Sequence, residues 1–212
     1  MTEITHHARV STLADFAAGR LDEALAAVVA AHIAKCSECA ETVASFEAVG
    51  GRMLDVVEPV AMATDALEKI LARADGTANI VLAEKQPSSV LDRYLNGDLG
   101  DIEWKWAAPG IAQSLLDAEG YREGALRLFK IDPGVKIPTH THGHEELTLI
   151  LDGAYEDELG VYRAGDLADL DDAIVHAPKA IGDTPCICLV ATSAPLRFKS
   201  AIGRIAQPFV GI

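Results

Sequence analysis

The chain has 212 residues, half of them apolar, and a formal net charge of −14. It is long enough for one large domain or two small ones with real hydrophobic cores. The acidic balance extends over the whole chain: residues 1–85 contain 7 basic and 13 acidic side chains, and residues 86–212 contain 11 and 19. Direct nucleic-acid binding needs a basic face and is disfavoured, whereas a partner with a basic surface is favoured.

The sequence predicts a cytoplasmic protein without a membrane segment. No run approaches the roughly 20 apolar residues that a membrane span needs. The N-terminus carries Glu3, two histidines and Arg9, and so lacks the apolar segment of a secretory signal. The cysteines agree with a reducing compartment, because one of their two close pairs has further metal-ligand residues beside it.

Residues 11–75 have the apolar spacing of helices. The spacing predicts a short first helix that ends near Gly19, a second through His32, a third over residues 37–57 and a fourth that begins near Thr64. Pro59 follows the third helix and stops it. The apolar positions of the predicted third helix are Val43, Phe46, Val49, Leu54 and Val57.

The character of the chain changes after a predicted linker at residues 76–89. Short β-type runs follow, separated by Gly, Pro or Asp, and the main ones lie at residues 102–106, 126–131, 147–151 and 186–191. Many short strands without intervening helices indicate a closed or sandwich-like all-β domain. We therefore expect a multidomain α and β chain, with a small helical bundle in residues 1–85 and an all-β barrel in residues 90–212.

The helical region contains the spacing His32-x3-Cys36-x2-Cys39. A histidine and a cysteine four residues apart share a helix face, and the second cysteine can turn inward as the next helix starts. Structural zinc takes four N or S ligands, so one more ligand is needed, and His6 and His7 are both candidates. The alternatives are a redox dithiol and a pair that binds nothing.

A second, unrelated pattern lies in the β region: Gly134-x5-His140-x-His142-x3-Glu146-x6-Gly153, with His176 downstream. Alternating histidines point to one side of a strand, and three imidazoles with a carboxylate suit Zn, Mn, Fe or Ni. The spacing matches the first cupin motif at every fixed position. The second cupin motif is partial, because its PxG position reads Arg163-Ala164-Gly165.

Other polar or sulfur-containing residues of the β region allow more than one interpretation. His144 lies in a turn or replaces a neighbouring ligand. The acidic run from Asp166 to Asp172 is expected to be a solvated loop. Cys186 and Cys188 alternate on an apolar strand, which indicates two buried small residues, with redox sensing as the alternative.

The two patterns in this order resemble the ChrR-like zinc-dependent anti-sigma factors, which combine a zinc anti-sigma domain with a C-terminal cupin. The resemblance implies His7, with His6 as the alternative, as the fourth ligand beside His32, Cys36 and Cys39. It also implies an extracytoplasmic-function sigma factor as a 1:1 partner, kept from core RNA polymerase and released in an oxidative response of the singlet-oxygen type through the cupin.

A different class of function remains open from the residues alone. Cupin dioxygenases and isomerases hold iron or manganese with three histidines and a glutamate. In that case the chain is a metal-dependent enzyme, and the zinc helical domain regulates it. No residue is assigned a catalytic role, and the small ligand of the cupin is not specified by the sequence.

Overall fold

The computed structural model describes residues 3–76, 91, 94, 99–116, 125–141, 144–193 and 197–198. The helices are α1 (Val10–Ala17), α2 (Glu23–Ile33), α3 (Ser37–Leu54) and α4 (Ala66–Gly76). Asp22 caps α2 by accepting a hydrogen bond from the Leu25 N–H at 3.0 Å. Among these residues, no helix is both long and apolar enough to cross a membrane.

The β region consists of short strands that all pair antiparallel to their neighbours. One sheet has the order β1-β2-β3-β11-β5-β8, and two three-stranded sheets have the orders β10-β6-β7 and β12-β4-β9. The strands are β1 (Lys105–Ala108), β2 (Ile111–Leu116), β3 (Ala125–Ile131), β4 (His140–Thr141), β5 (Glu146–Asp152), β6 (Ala154–Glu156), β7 (Val161–Arg163), β8 (Leu167–Leu170), β9 (Val175–His176), β10 (Lys179–Ile181), β11 (Cys186–Thr192) and β12 (Arg197–Phe198). The predicted fold class, a small helical region followed by a β-rich domain, is confirmed.

The central strands of the large sheet are buried on both faces, and one of these faces shares a core with the helices. On β11, Leu189 and Ala191 pack in a cluster with α2, whereas Cys186 and Cys188 point into a second cluster inside the barrel. The same alternation holds on β5, where Leu149 faces the helices. A strand that is covered on both faces has apolar residues at successive positions. This explains the long apolar runs of β5 and β11.

The N-terminal segment before α1 lies along the barrel. The Leu167 N–H donates to the His6 carbonyl at 3.1 Å. Arg9 Nε donates to Asp169 at 2.8 Å, and Arg9 Nη1 donates to Asp171 at 2.9 Å. These contacts fix the start of the chain on the β domain, close to where the helices begin.

The apolar positions of α3 differ in their burial. Val43 is buried, but Val49 and Leu54 are 59% and 74% exposed. The end of α3 is therefore exposed, and α4 makes no extensive contact with another element of the described chain. The predicted linker 76–89 lies outside the described residues apart from Gly76, so a boundary between residues 85 and 90 stays a prediction.

Candidate metal centres

The first candidate centre lies where α2 meets α3. His32 is in the last turn of α2, Cys36 is the N-cap of α3 and Cys39 is in its first turn. The Cys36 N–H donates to the His32 carbonyl at 2.9 Å, so the turn between the helices holds the three residues together. His7 approaches from the segment before α1. One ligand atom of each of the four residues lies within 4.8 Å of all the others.

The hydrogen bonds of the two histidines leave a lone pair of each facing this cluster. His32 Nδ1 donates to the Gly165 carbonyl at 3.0 Å, since a carbonyl oxygen can only accept. Its Nε2 is buried without a hydrogen-bond partner in the described part of the chain. His7 Nδ1 is 3.3 Å from Cys36 Sγ, and its Nε2 is 3.4 Å from the Glu38 carboxylate. Such an orphaned lone pair among thiols fits a cation.

The ionisation of the cluster also fits a metal. Burial raises the pKa of the Cys39 thiol to about 11, and the neighbouring Cys36 adds to the shift, while the Ala8 N–H opposes it. Burial lowers the pKa of His32, which favours the neutral imidazole that ligates metals. A buried thiol becomes a thiolate only when a cation compensates its charge. Zinc bound by N and S ligands supplies that compensation.

His6 lies apart from this cluster. Its ring packs on Tyr162 with 4.2 Å between centroids, and its backbone N–H donates to Asp166 Oδ1 at 3.0 Å. The structure thus brings His7 to the two cysteines and places His6 against the barrel.

The second candidate centre lies inside the barrel. His140 on β4 and His176 on β9 are directly opposite each other in an antiparallel pair. Glu146, the first residue of β5, comes from the large sheet and accepts a hydrogen bond from Thr148 Oγ1 at 3.2 Å. All three side chains are buried, and a ligand atom of each lies within 4.8 Å of the others.

Two imidazole nitrogens come together in this centre. His140 Nδ1 donates to the Pro138 carbonyl at 2.9 Å, and His176 Nδ1 donates to the Asp157 carboxylate at 2.8 Å. The Nε2 atoms of the two rings are 3.1 Å apart. Two imidazoles and a carboxylate this close together are a donor set that fits a divalent metal. Asp157 orients His176 as outer carboxylates orient metal-ligating histidines.

Two further histidines of the β region were candidate ligands. His142, predicted as a fourth ligand, lies outside the described residues. His144 lies in an exposed bend before β5 and is not among the converging side chains. The described part of the barrel centre is therefore His140, Glu146 and His176.

Sequence reasoning missed the structural roles of three carboxylates, Asp157, Asp166 and Asp169. Asp166 and Asp169 are not a solvated loop, since their side chains are only 2% exposed and hold the N-terminal segment. Asp157 was not singled out. A partial signal existed, because Arg9 is the only basic residue among the first 19 and needs an acidic partner.

The fold and the two sites define a protein with two modules. A helical region with a His/Cys centre of the zinc-finger type is packed on a barrel that contains an imidazole–carboxylate centre. A zinc-finger family model matches residues 10–40, and the family described as "ChrR Cupin-like domain" matches residues 94–195. The first match, together with the His/Cys cluster, indicates zinc in the N-terminal region.

Two full-length comparisons identify the family. The chain is 37% identical to the anti-sigma-E factor ChrR of Cereibacter sphaeroides over 213 residues, covering 99% of both chains. It is also similar to a chain in the crystal structure of Rhodobacter sphaeroides SigE in complex with the anti-sigma ChrR. That match has a TM-score of 0.78 and 35% identity, and covers 90% of this chain and 99% of the other. The chain belongs to the ChrR family.

Proposed function

We propose that the chain is an anti-sigma factor that binds one extracytoplasmic-function sigma factor and keeps it from core RNA polymerase. The relatives support this assignment, since the crystallised homologue is an anti-sigma protein in complex with SigE. We further propose that it acts in the cytoplasm, where RNA polymerase works.

The observation that carries the proposal is a continuous stretch of exposed apolar side chains from the end of α3 to α4, named here the apolar helical surface. Its members are 54–88% exposed: Val49, Met53, Leu54, Val56, Val57, Val60, Met62, Leu67, Ile70 and Leu71. A run of so many exposed large apolar side chains is typical of an interaction site. These side chains are available as apolar anchors, because the described part of the chain leaves each of them more than half exposed.

The charge of the helical region favours a sigma factor as the occupant. Residues 1–85 carry 13 acidic and 7 basic side chains. A sigma factor presents basic surfaces to DNA, so opposite charges speed and orient the encounter, while apolar anchors supply most of the affinity.

We infer that zinc in the helical centre is structural and is held by His7, His32, Cys36 and Cys39. Four protein ligands leave no open coordination position. These ligands come from three separate elements, the N-terminal segment, α2 and the start of α3. Zinc therefore fixes the direction in which α3 leaves the core, and so the position of the apolar helical surface.

We assign a divalent metal, Zn, Mn, Fe or Ni, to the barrel centre, with His140, Glu146 and His176 as ligands and His142 as the expected fourth. We propose that this centre is the sensory part, through which oxidative conditions of the singlet-oxygen type release the sigma factor. The second candidate is metal-dependent oxidation or isomerisation in the barrel, which three histidines and a glutamate with open coordination positions would also permit.

Binding measurements with matched variants test the anti-sigma assignment. Each extracytoplasmic-function sigma factor of the source organism is purified and titrated against the full chain by calorimetry. Leu67→Glu with Leu71→Glu should weaken binding at least tenfold, because these side chains are 66% and 54% exposed and their loss leaves the fold intact.

Leu115→Glu is the control, because Leu115 is an equally exposed leucine (63%) on the barrel. It should bind like the wild type. If no sigma factor binds the wild type, the anti-sigma assignment is wrong. If the helix variants bind normally, the apolar helical surface is not the interface.

A further inference from the structure

His6 belongs to neither metal centre but lies between them. Its N–H donates to Asp166, its carbonyl accepts from the Leu167 N–H, and its ring packs on Tyr162. Burial raises the pKa of Tyr162 to about 12, so the ring that His6 contacts is a neutral phenol. The next residue is His7, whose Nδ1 is 3.3 Å from Cys36 Sγ. Any displacement of His6 along the barrel therefore moves a residue of the helical centre.

One tight turn, residues 157–160, connects the barrel centre to His6. One Asp157 oxygen accepts from His176 Nδ1, and the other accepts from the Leu159 N–H at 2.8 Å and the Gly160 N–H at 3.2 Å. Gly160 lies directly against the histidine, since a Cβ built there would be 3.2 Å from His6 Nε2. The turn thus has a barrel-centre residue bound at one end and His6 in contact at the other.

The barrel also holds a second residue of the helical centre. The Gly165 carbonyl accepts from His32 Nδ1 at 3.0 Å, and Asp166, the next residue, accepts from the Thr5 and His6 N–H groups at 2.7 Å and 3.0 Å. Asp166 is 1% exposed. Two of the four residues of the helical centre are therefore positioned by barrel residues in packed surroundings, where small shifts are transmitted and not absorbed.

We propose that His6 is a positioning residue that couples the two centres. A metal bound in the barrel centre holds the Asp157–Gly160 turn in place. This turn holds His6, and through it His7, in the arrangement that retains zinc. Loss of the barrel metal loosens the helical centre. By reciprocity, the helical centre stabilises the barrel centre by the same free energy. The inference rests on the metal occupation proposed above for both centres.

The test measures how readily the thiols of the helical centre react. The full chain carries Cys186→Ala and Cys188→Ala, so that a chromogenic disulfide reagent reports only on Cys36 and Cys39. Rates are measured at a fixed, buffered concentration of free zinc, and circular dichroism verifies the fold of each variant. His176→Ala, which disables the barrel centre, should speed modification about fivefold or more, equivalent to about 1 kcal/mol of coupling.

A double-mutant cycle assigns the effect to His6. In a His6→Ala background, His176→Ala should change the rate less than twofold, because the contact that transmits the change is gone. Gly160→Ala perturbs the turn itself without changing a ligand residue, because Gly160 has φ +155° and its added methyl group would lie 3.2 Å from His6 Nε2. It should speed modification, and His6→Ala should reduce this effect.

Equal acceleration with and without His6, or no acceleration by His176→Ala and Gly160→Ala, would overturn the coupling. Metal analysis of the wild type distinguishes a failure of the proposed metal occupation from a failure of the coupling. Absence of metal at the barrel centre refutes the proposed occupation together with the coupling. Two bound metals with independent thiol rates refute the coupling alone.

Discussion

Truncation of Leu189 tests whether the helices and the barrel form one cooperative unit. Leu189 is fully buried at the centre of the large sheet and faces α2. Leu189→Ala removes three carbon atoms, which forfeits about 2–3 kcal/mol of transfer free energy at about 0.8 kcal/mol each. The cavity left between sheet and helix raises the expected loss to about 3–5 kcal/mol. For a chain of this size, that corresponds to a fall in Tm of about 10 °C.

The assay is urea unfolding followed by two probes. Far-ultraviolet circular dichroism reports mainly on the helices, and the fluorescence of Trp104 and Trp106 reports on the β region. Both transitions should coincide in the wild type and move together in Leu189→Ala. Leu54→Ala, at a residue 74% exposed, should stay within about 0.5 kcal/mol of the wild type. Separate transitions, or a Leu189→Ala shift seen by one probe only, would refute a shared core.

Three further predictions concern the centres and the N-terminal segment. Cys36→Ser with Cys39→Ser should lower bound zinc by one equivalent per chain in plasma emission spectrometry, and an unchanged zinc content would contradict the ligand assignment. Arg9→Ala should lower the free energy of unfolding by about 1–3 kcal/mol, because it removes the charged hydrogen bonds from the side chain to Asp169 and Asp171, and Arg9→Lys should not restore the loss. Burial opposes the charge of Asp166, but N–H donors outweigh it and lower its pKa. The carboxylate therefore stabilises the fold above its unfolded pKa of about 4, and it loses this effect as the pH falls. Asp166→Asn should lower the free energy of unfolding at pH 6 but much less below pH 4. A loss that is the same at both pH values would contradict this linkage.

Local patterns in the sequence were sufficient for the main elements and for most of the candidate ligand residues that the structure brings together. Helical spacing predicted α1 to α4, and Ser37 is the first residue of α3 as expected. The His32, Cys36 and Cys39 spacing is itself a local geometry, because a helix end and the next helix start bring these residues together. The histidine at position 7 was selected by resemblance and not by spacing alone.

Contacts between residues that are far apart in the chain could not be predicted from local patterns. The apolar runs of β5 and β11 indicated strands, but not that α2 covers their outer face. Val49 and Leu54 have the spacing of core residues. The local sequence does not distinguish an apolar side chain that packs within its own chain from one that binds a partner. Asp157 and Asp166 act through contacts with residues 19 and 160 positions away, respectively.

The most direct test of the central claim is transcription by core RNA polymerase with the sigma factor that binds the chain. Run-off transcripts from a promoter of that sigma factor are quantified while the purified, zinc-loaded chain is added. Transcription should fall to background at one equivalent of chain per sigma factor, and Leu67→Glu with Leu71→Glu should require at least tenfold more. Transcription that stays unchanged at a several-fold excess of the wild-type chain would contradict the anti-sigma function.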